Sequence, residues 1–282
     1  MKSLLFFLGA ALPCFSIDAA TVSSPSTQWS AVAGSADVAD DHQDGNTSSD
    51  IVGTATNPAF FTTFSDNGSA SHTDGTLGFR VRLDAAGGKS GNPALDGMVW
   101  VGIDANQNGS VDAFVGVNVQ GASTTIEIRD SGSGANTSPS STALATSTAF
   151  SYATTSANYN YRAVNYTTDG GTTNDLSTSS NDDPDYYVSF TIPFANLVSF
   201  LNSQGIAITD QTGLRYVVAT SSATTSLNQD VAQMTGGLTS TTSWQSLGAF
   251  SPTMNAAGQA VPEPAAALLG ALGALGLLRR RR

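Results

Sequence analysis

Apolar residues recur at every second position in several stretches of this chain. In "LGFRVRLD" (77–84), Leu77, Phe79, Val81 and Leu83 alternate with Gly78, Arg80, Arg82 and Asp84. A period of two sends the two sets to opposite faces of a strand, so this stretch predicts a strand with one face buried and one polar. "GMVWVGID" (97–104) and "VDAFVGVNV" (111–119) predict two more strands flanking a polar turn, with Trp100 in the core. "TTIEIRD" (124–130) alternates again, placing Ile126 and Ile128 on one face and Glu127, near Arg129, on the surface. "YYVSFTI" (186–192) and "LRYVVAT" (214–220) predict two later strands. One helix follows Pro193, which suits a first turn. Phe194, Leu197, Val198 and Leu201 share a face, and Gly205 ends it.

Residues 131–182 are biased to Ser, Thr, Asn, Gly and Ala, and about fifty residues are too many for one ordered loop in a compact domain. Within them "FSYATTS" and "YNYRAVNY" predict edge strands. No repeat of fixed period is present. The pattern predicts an all-β protein: a single jelly-roll-like β-sandwich with one short helix. It occupies an ectodomain of 21–250, starting near residue 28, with the Ser/Thr/Asn-rich insertion at 131–182. A linker, "SPTMNAAGQA", follows at 251–260.

Charge sharpens this picture. Residues 21–260 carry 20 acidic residues against six basic ones, a net of about −14, and only Glu127 among the acids is Glu. Asp favours turns and caps and ligates hard cations, whereas helix-rich chains carry more Glu and Lys. No basic patch is available to neutralise phosphate, which argues against nucleic acid as a partner. Cys14 is the only cysteine. Loss of residues 1–20 would leave no thiol for disulfides, catalysis or metal.

The ends carry an address. Met1–Lys2, the apolar "SLLFFLGAALP" (3–13) and the small residues Ala19 and Ala20 predict a signal peptide helix over 1–20, read by the Sec export machinery. It is too short for a stable membrane span. Pro13 stands where a lipoprotein signal has a small residue, which argues against lipidation of Cys14. At the other end, Ala265–Leu278 is a run of 14 Ala, Leu and Gly residues. As a hydrophobic helix it would span roughly 21 Å against a hydrocarbon thickness of ~30 Å. Arg279, Arg280, Arg281 and Arg282 would stay on the cytoplasmic side. The Pro-Glu-Pro ahead of it is a rigid, extended segment that a processing enzyme can grip.

Val261, Pro262, Glu263 and Pro264, the short apolar run and the terminal arginines together resemble the PEP-CTERM sorting signal of Gram-negative bacteria. The resemblance covers 261–282. It implies processing by the membrane protease exosortase, a transient inner-membrane anchor through 265–278, and delivery to the outer surface or extracellular matrix among exopolysaccharide and biofilm. The ectodomain more loosely resembles carbohydrate-binding family 9 and DOMON-like β-sandwich modules. That likeness rests on the Asp-rich opening "SADVADDHQDGNTSSDIVG", the "LGFRVRLD" strand, "VWVGIDANQNG", "VSFTIPFANL" and "LRYVVATSS". It speaks to fold only.

The sharpest internal motif is "DANQNGSVD" (104–112). Asp104, Asn106, Asn108, Ser110 and Asp112 take the alternating ligand positions of a calcium loop, with Gly109 at its sharp turn. Val115 stands where the template has its bidentate Glu, and the flanks are strands, so the competing reading is a polar hairpin turn with Asn-Gly supplying positive φ. Asp37, Asp40, Asp41, Asp44 and Asp50, then Asp182, Asp183 and Asp185, and Asp230 read as solvated loop. "GGKS" (87–90) lacks the first glycine of a phosphate loop, since Leu83 takes its place. His42 and His72 lie in polar loops, and no HExxH or GxSxG is present, so no catalytic residue is assigned. Trp29 and Trp244, in polar surroundings, are candidates for stacking on sugar rings. The reading is of a non-enzymatic, exosortase-processed surface or matrix protein. Its alternatives are a calcium-dependent carbohydrate-binding module and a secreted hydrolase using an Asp pair.

Overall fold

The computed structural model describes residues 20–42, 47–89, 92–120, 123–131, 144, 147–177, 183–233 and 250–261. The signal helix, the hydrophobic helix at 265–278, Trp244, Pro262, Glu263, Pro264 and Arg279–Arg282 lie outside the described residues. No helix among the described residues is long and apolar enough to cross a membrane.

The expected strands form where the alternation falls. β1 (Ser30–Ala31), β2 (Phe60–Ser65) and β3 (Thr76–Leu83) precede a small hairpin arm, β4 (Gly87–Lys89) with β5 (Asn92–Ala94), which takes up the "GGK" of the glycine motif. Then come β6 (Met98–Asp104), β7 (Ala113–Asn118), β8 (Thr125–Arg129), β9 (Thr148–Ala153), β10 (Tyr159–Ala163), the one-turn α1 (Tyr166–Asp169), β11 (Tyr186–Pro193), α2 (Phe194–Ser203) and β12 (Arg215–Ser221). Two five-stranded antiparallel sheets result, ordered β1-β2-β3-β11-β10 and β12-β6-β7-β8-β9. β10 and β9 sit at the outer edges of the two sheets, as the Tyr- and Thr-rich stretches within 131–182 predict. α2 starts after Pro193, whose φ of −62° suits a helix entry. Gly205, at φ +81°, follows its end.

The core lies between the sheets. Phe79 is its centre, with Phe60, Phe190 and Tyr216 rings 5.7–6.0 Å away. Val99, Val101, Ile103, Val115, Val117, Ile126 and Ile128 meet them from the second sheet. That sheet is apolar on its other face as well, where Trp100, Phe114, Met98 and Val217 form a second cluster.

Three local expectations are overturned by packing. The polar face of β3 is not exposed: Arg80 is 0% and Arg82 1% accessible. The chain from Ala20 to Ala31 and the segment around 169–175 cover that face and bring hydrogen-bond acceptors with them. Glu127 is likewise buried, its Oε2 accepting from Arg129 Nε at 2.6 Å. Residues 251–260 are not a linker. Met254 and Leu214 exchange two backbone hydrogen bonds (2.8 and 2.9 Å), and Ser251 N donates to Tyr216 O. Met254 and Ala256 are core residues. With residues 228–232, this segment lines the free edge of β12, where unpaired backbone groups would otherwise face solvent.

Candidate metal centre

The end of β3 gathers the acidic residues. Asp84 directly follows the strand. Its N–H donates to Asp50 O (3.0 Å), and Ile51 bridges Leu83, so the segment carrying Asp50 runs beside the strand end. One step further out, Asp37 and Gly53 exchange backbone hydrogen bonds of 2.9 and 3.1 Å, placing Asp37 and its neighbours alongside. Asp230 arrives from the other sheet, where its carbonyl accepts from Thr220 N on β12. Its carboxylate accepts from Ile51 N and Val231 N, both at 2.7 Å. Asp185 stands just ahead of β11 and holds Arg82 Nε at 2.5 Å. Asp175 lies in the loop before it.

These placements bring eight aspartates into three groups: Asp37, Asp41 and Asp230; Asp40, Asp50 and Asp84; and Asp84, Asp175 and Asp185. Within each group, one oxygen per carboxylate lies within 4.8 Å of the others. Calcium–oxygen bonds of about 2.3–2.6 Å put opposite ligands roughly 5 Å apart, so this is the spacing of ligands around one ion. Asp37 Oδ2 and Asp84 Oδ1 are buried and accept no hydrogen bond among the described residues. The residues that own them are 7% and 3% accessible.

Burial without counter-charge has the expected electrostatic result. Asp37 is pushed up to about 10 by burial and then by Asp230 and Asp41. Asp230 is also held well above the usual carboxylate range, by burial first and then by Asp50 and Asp41, against the N–H of Ile51. Asp84 rises to about 7 through burial and the charges of Asp50, Asp185, Asp40 and Asp175. Asp185 stays raised, at about 6, because burial outweighs Arg82. Asp50 is raised by burial in spite of His42, whose Nδ1 is 3.2 Å from its Oδ1. A buried carboxylate is stabilised by donors or cations, and this array has few of either. The buried acidic groups can therefore hold metal ions.

The loop singled out by sequence is built differently. Asp104 accepts from Asn108 N (3.1 Å) and Gly109 N (3.0 Å) and pairs with Arg215. Asp112 accepts from Ala105 N (2.7 Å), Asn106 N (3.2 Å) and Asn106 Nδ2 (2.9 Å). Asn106 Oδ1 takes Asn108 N at 3.0 Å, and Asn108 Oδ1 takes Ser110 N at 2.8 Å. Every candidate side-chain oxygen named here closes the turn, and the Arg215 guanidinium supplies the positive charge beside Asp104. Burial raises Asp112, against the lowering by those N–H donors. The hairpin-turn reading fits this geometry. Gln107 (φ +60°) and Gly109 (φ +87°), not the Asn-Gly pair, supply the positive φ angles.

Trp29 is only 6% accessible and lies beneath Arg80, whose guanidinium carbon is 4.4 Å from the ring centre. Its face is occupied, so it is not a platform for a sugar. Arg80 needs that partner: burial lowers its pKa to about 9, and the ring's negative face offsets lost hydration. His72 Nδ1 is 2.8 Å from Asp210 Oδ1, away from the acidic array. Val261 N donates to Thr253 O at 3.2 Å. Asp44 and Asp182 lie outside the described residues.

Sequence reading named six of the eight aspartates, as solvated loop, and passed over Asp84 and Asp175 as ligands. The available signal was the density of Asp in the opening segment. Asp84 looked like the polar end of an alternating strand. Comparison with known proteins gives no match: no family model, no curated protein and no solved structure matches the chain.

Proposed function

We propose that this protein is an exported, non-enzymatic component of the cell surface or extracellular matrix whose β-sandwich is clamped by calcium. The observation that carries the reading is the array of eight aspartates, five of them buried, which joins the N-terminal segment, both sheets and the loop before β11. Its oxygen-only ligands suit a hard cation, and the larger, flexibly coordinated calcium suits irregular carboxylate groups better than octahedral magnesium. Extracellular modules bind calcium at about 10⁻⁴–10⁻³ M, which matches the address expected from the chain ends. Exosortase processing and residence among exopolysaccharide follow from the same resemblance. The burial of Trp29 removes one stacking platform from the carbohydrate-binding alternative.

Thermal unfolding of the purified full chain tests the reading. Binding only to the folded state at a hundred times Kd adds about 2.7 kcal/mol. With the Kd range above this needs about 10–100 mM calcium, in which Tm is expected to rise by several degrees over EDTA, and Asp37→Asn with Asp230→Asn to shrink that rise. Equal Tm values in calcium and EDTA would overturn it.

A further inference from the structure

The three acidic groups are not independent, because Asp84 belongs to two of them. On one side it stands with Asp40 and Asp50, on the other with Asp175 and Asp185. We infer that the array is a chain of three divalent-cation sites in which the Asp84 carboxylate is shared between two. This deepens the calcium reading and rests on it.

Charge balance supports the count. The two groups that meet at Asp84 contain five carboxylates, and among the described residues the side chains that face them are the Arg82 guanidinium, on Asp185, and the His42 imidazole, beside Asp50. A single divalent ion would leave a net negative charge buried there, and two nearly neutralise it. The group of Asp37, Asp41 and Asp230 needs a third ion of its own. Geometry supports the sharing. Asp84 is 3% accessible, and its Oδ1 is buried and accepts no hydrogen bond among the described residues. Its backbone is pinned on both sides of the strand end, by Asp50 O and by the β3–β11 pairing that ends at Leu83 and Tyr186. A carboxylate so held has two oxygens for two ions, the arrangement by which paired sites bring ions to about 3.5–4 Å. The remaining ligands of each ion come from one side only: Asp40 and Asp50 from the N-terminal segment, Asp175 and Asp185 from the loop before β11. Occupancy of one site would therefore fix Asp84 for the other, and the two ions would bind cooperatively.

Calcium stoichiometry of the full chain, measured by equilibrium dialysis with elemental analysis, tests this against variants. Wild type is expected to bind three ions, Asp230→Asn two, Asp175→Asn two and Asp84→Asn one. An Asp84→Asn protein that keeps two ions overturns the sharing and leaves the calcium reading standing. A wild type that binds none, with Tm unchanged by EDTA, sinks both. Should Asp84→Asn fail to fold, wild-type crystals soaked in terbium decide the matter. Two anomalous peaks about 4 Å apart flanking Asp84 are expected. One peak there, or two too far apart for one carboxylate to reach, overturns the inference.

Discussion

Asp169 and Asp37 are both buried aspartates with opposite electrostatics. Burial raises Asp169, but Arg162 donates to it at 2.5 and 2.7 Å and the N–H groups of Asn165 and Ser26 at 3.0 and 2.9 Å. These donors outweigh burial and hold it at about 2. Among the described residues Asp37 receives one N–H, from Gln233, and burial beside Asp230 and Asp41 pushes it up to about 10. Asp169→Asn is expected to cost roughly 2 kcal/mol at neutral pH, the range for hydrogen bonds to a charged group. A depressed folded-state pKa contributes stability above the unfolded value, and that contribution is lost as pH falls. The gap between variant and wild type in urea unfolding should therefore close from about pH 4 toward pH 2. A gap unchanged across that window would show that the charge is not what matters. Only part of this was legible locally: Asn165 and Arg162 stand four and seven residues from Asp169, whereas Ser26 reaches it only after the N-terminal segment folds over β3.

At the scale of elements, the strands were readable because alternation is local and a strand's two faces differ by one residue. β3, β6, β7, β8, β11, β12 and α2 appear within a residue or two of their predicted spans. β2, "FFTTFS", was missed because it runs apolar then polar instead of alternating. Residues 251–260 read as linker because Ser, Pro, Asn and Gly carry no period, and their pairing with Leu214 is non-local. Tertiary packing also dictates single positions inside readable strands. Gly116 on β7 pairs with Trp100 on β6. A Cβ there would meet Val99 O at 2.1 Å and Trp100 Cε3 at 2.6 Å. Both are backbone or the inner edge of a packed ring, so neither can yield cheaply. Gly116→Ala is expected to lower stability by about 1–3 kcal/mol, the usual cost of overpacking. Chemical denaturation checks it, and Gly205→Ala, with open space around its Cβ, serves as a comparison in which only backbone strain acts.

For the whole molecule, the acidic array sets the response to pH. The folded-state values of Asp84 and Asp185, about 7 and 6, lie above those of the unfolded chain, so the folded state binds more protons between about pH 4 and 7. Asp37 extends the window toward 10. The groups facing them are Asp40, Asp41, Asp50, Asp175, Asp230, His42 and Arg82. Stability without metal is therefore fullest at the acid end and is lost as pH rises. In EDTA, Tm should fall between about pH 5 and pH 8. Calcium needs deprotonated ligands, so saturating calcium should flatten or reverse the slope. A Tm in EDTA that climbs over the same range would contradict this account.

What the sequence determined by itself is whatever depends on neighbours in the chain: the periods that make strands, the breakers that bound the helix, the all-β class, and an acidic load carried by Asp. What only the tertiary structure decided is which of those aspartates meet. Asp37 and Gln233, 196 positions apart, are joined by one hydrogen bond. Asp84 meets Asp50 and Asp185 because strand pairing and the covering segment bring three chain regions to one strand end. The same cover turned the polar face of β3 inward and took Trp29 from the surface. Periodicity is a property of the chain, but burial and convergence are properties of the packed object, since they are set by what lies across from each residue.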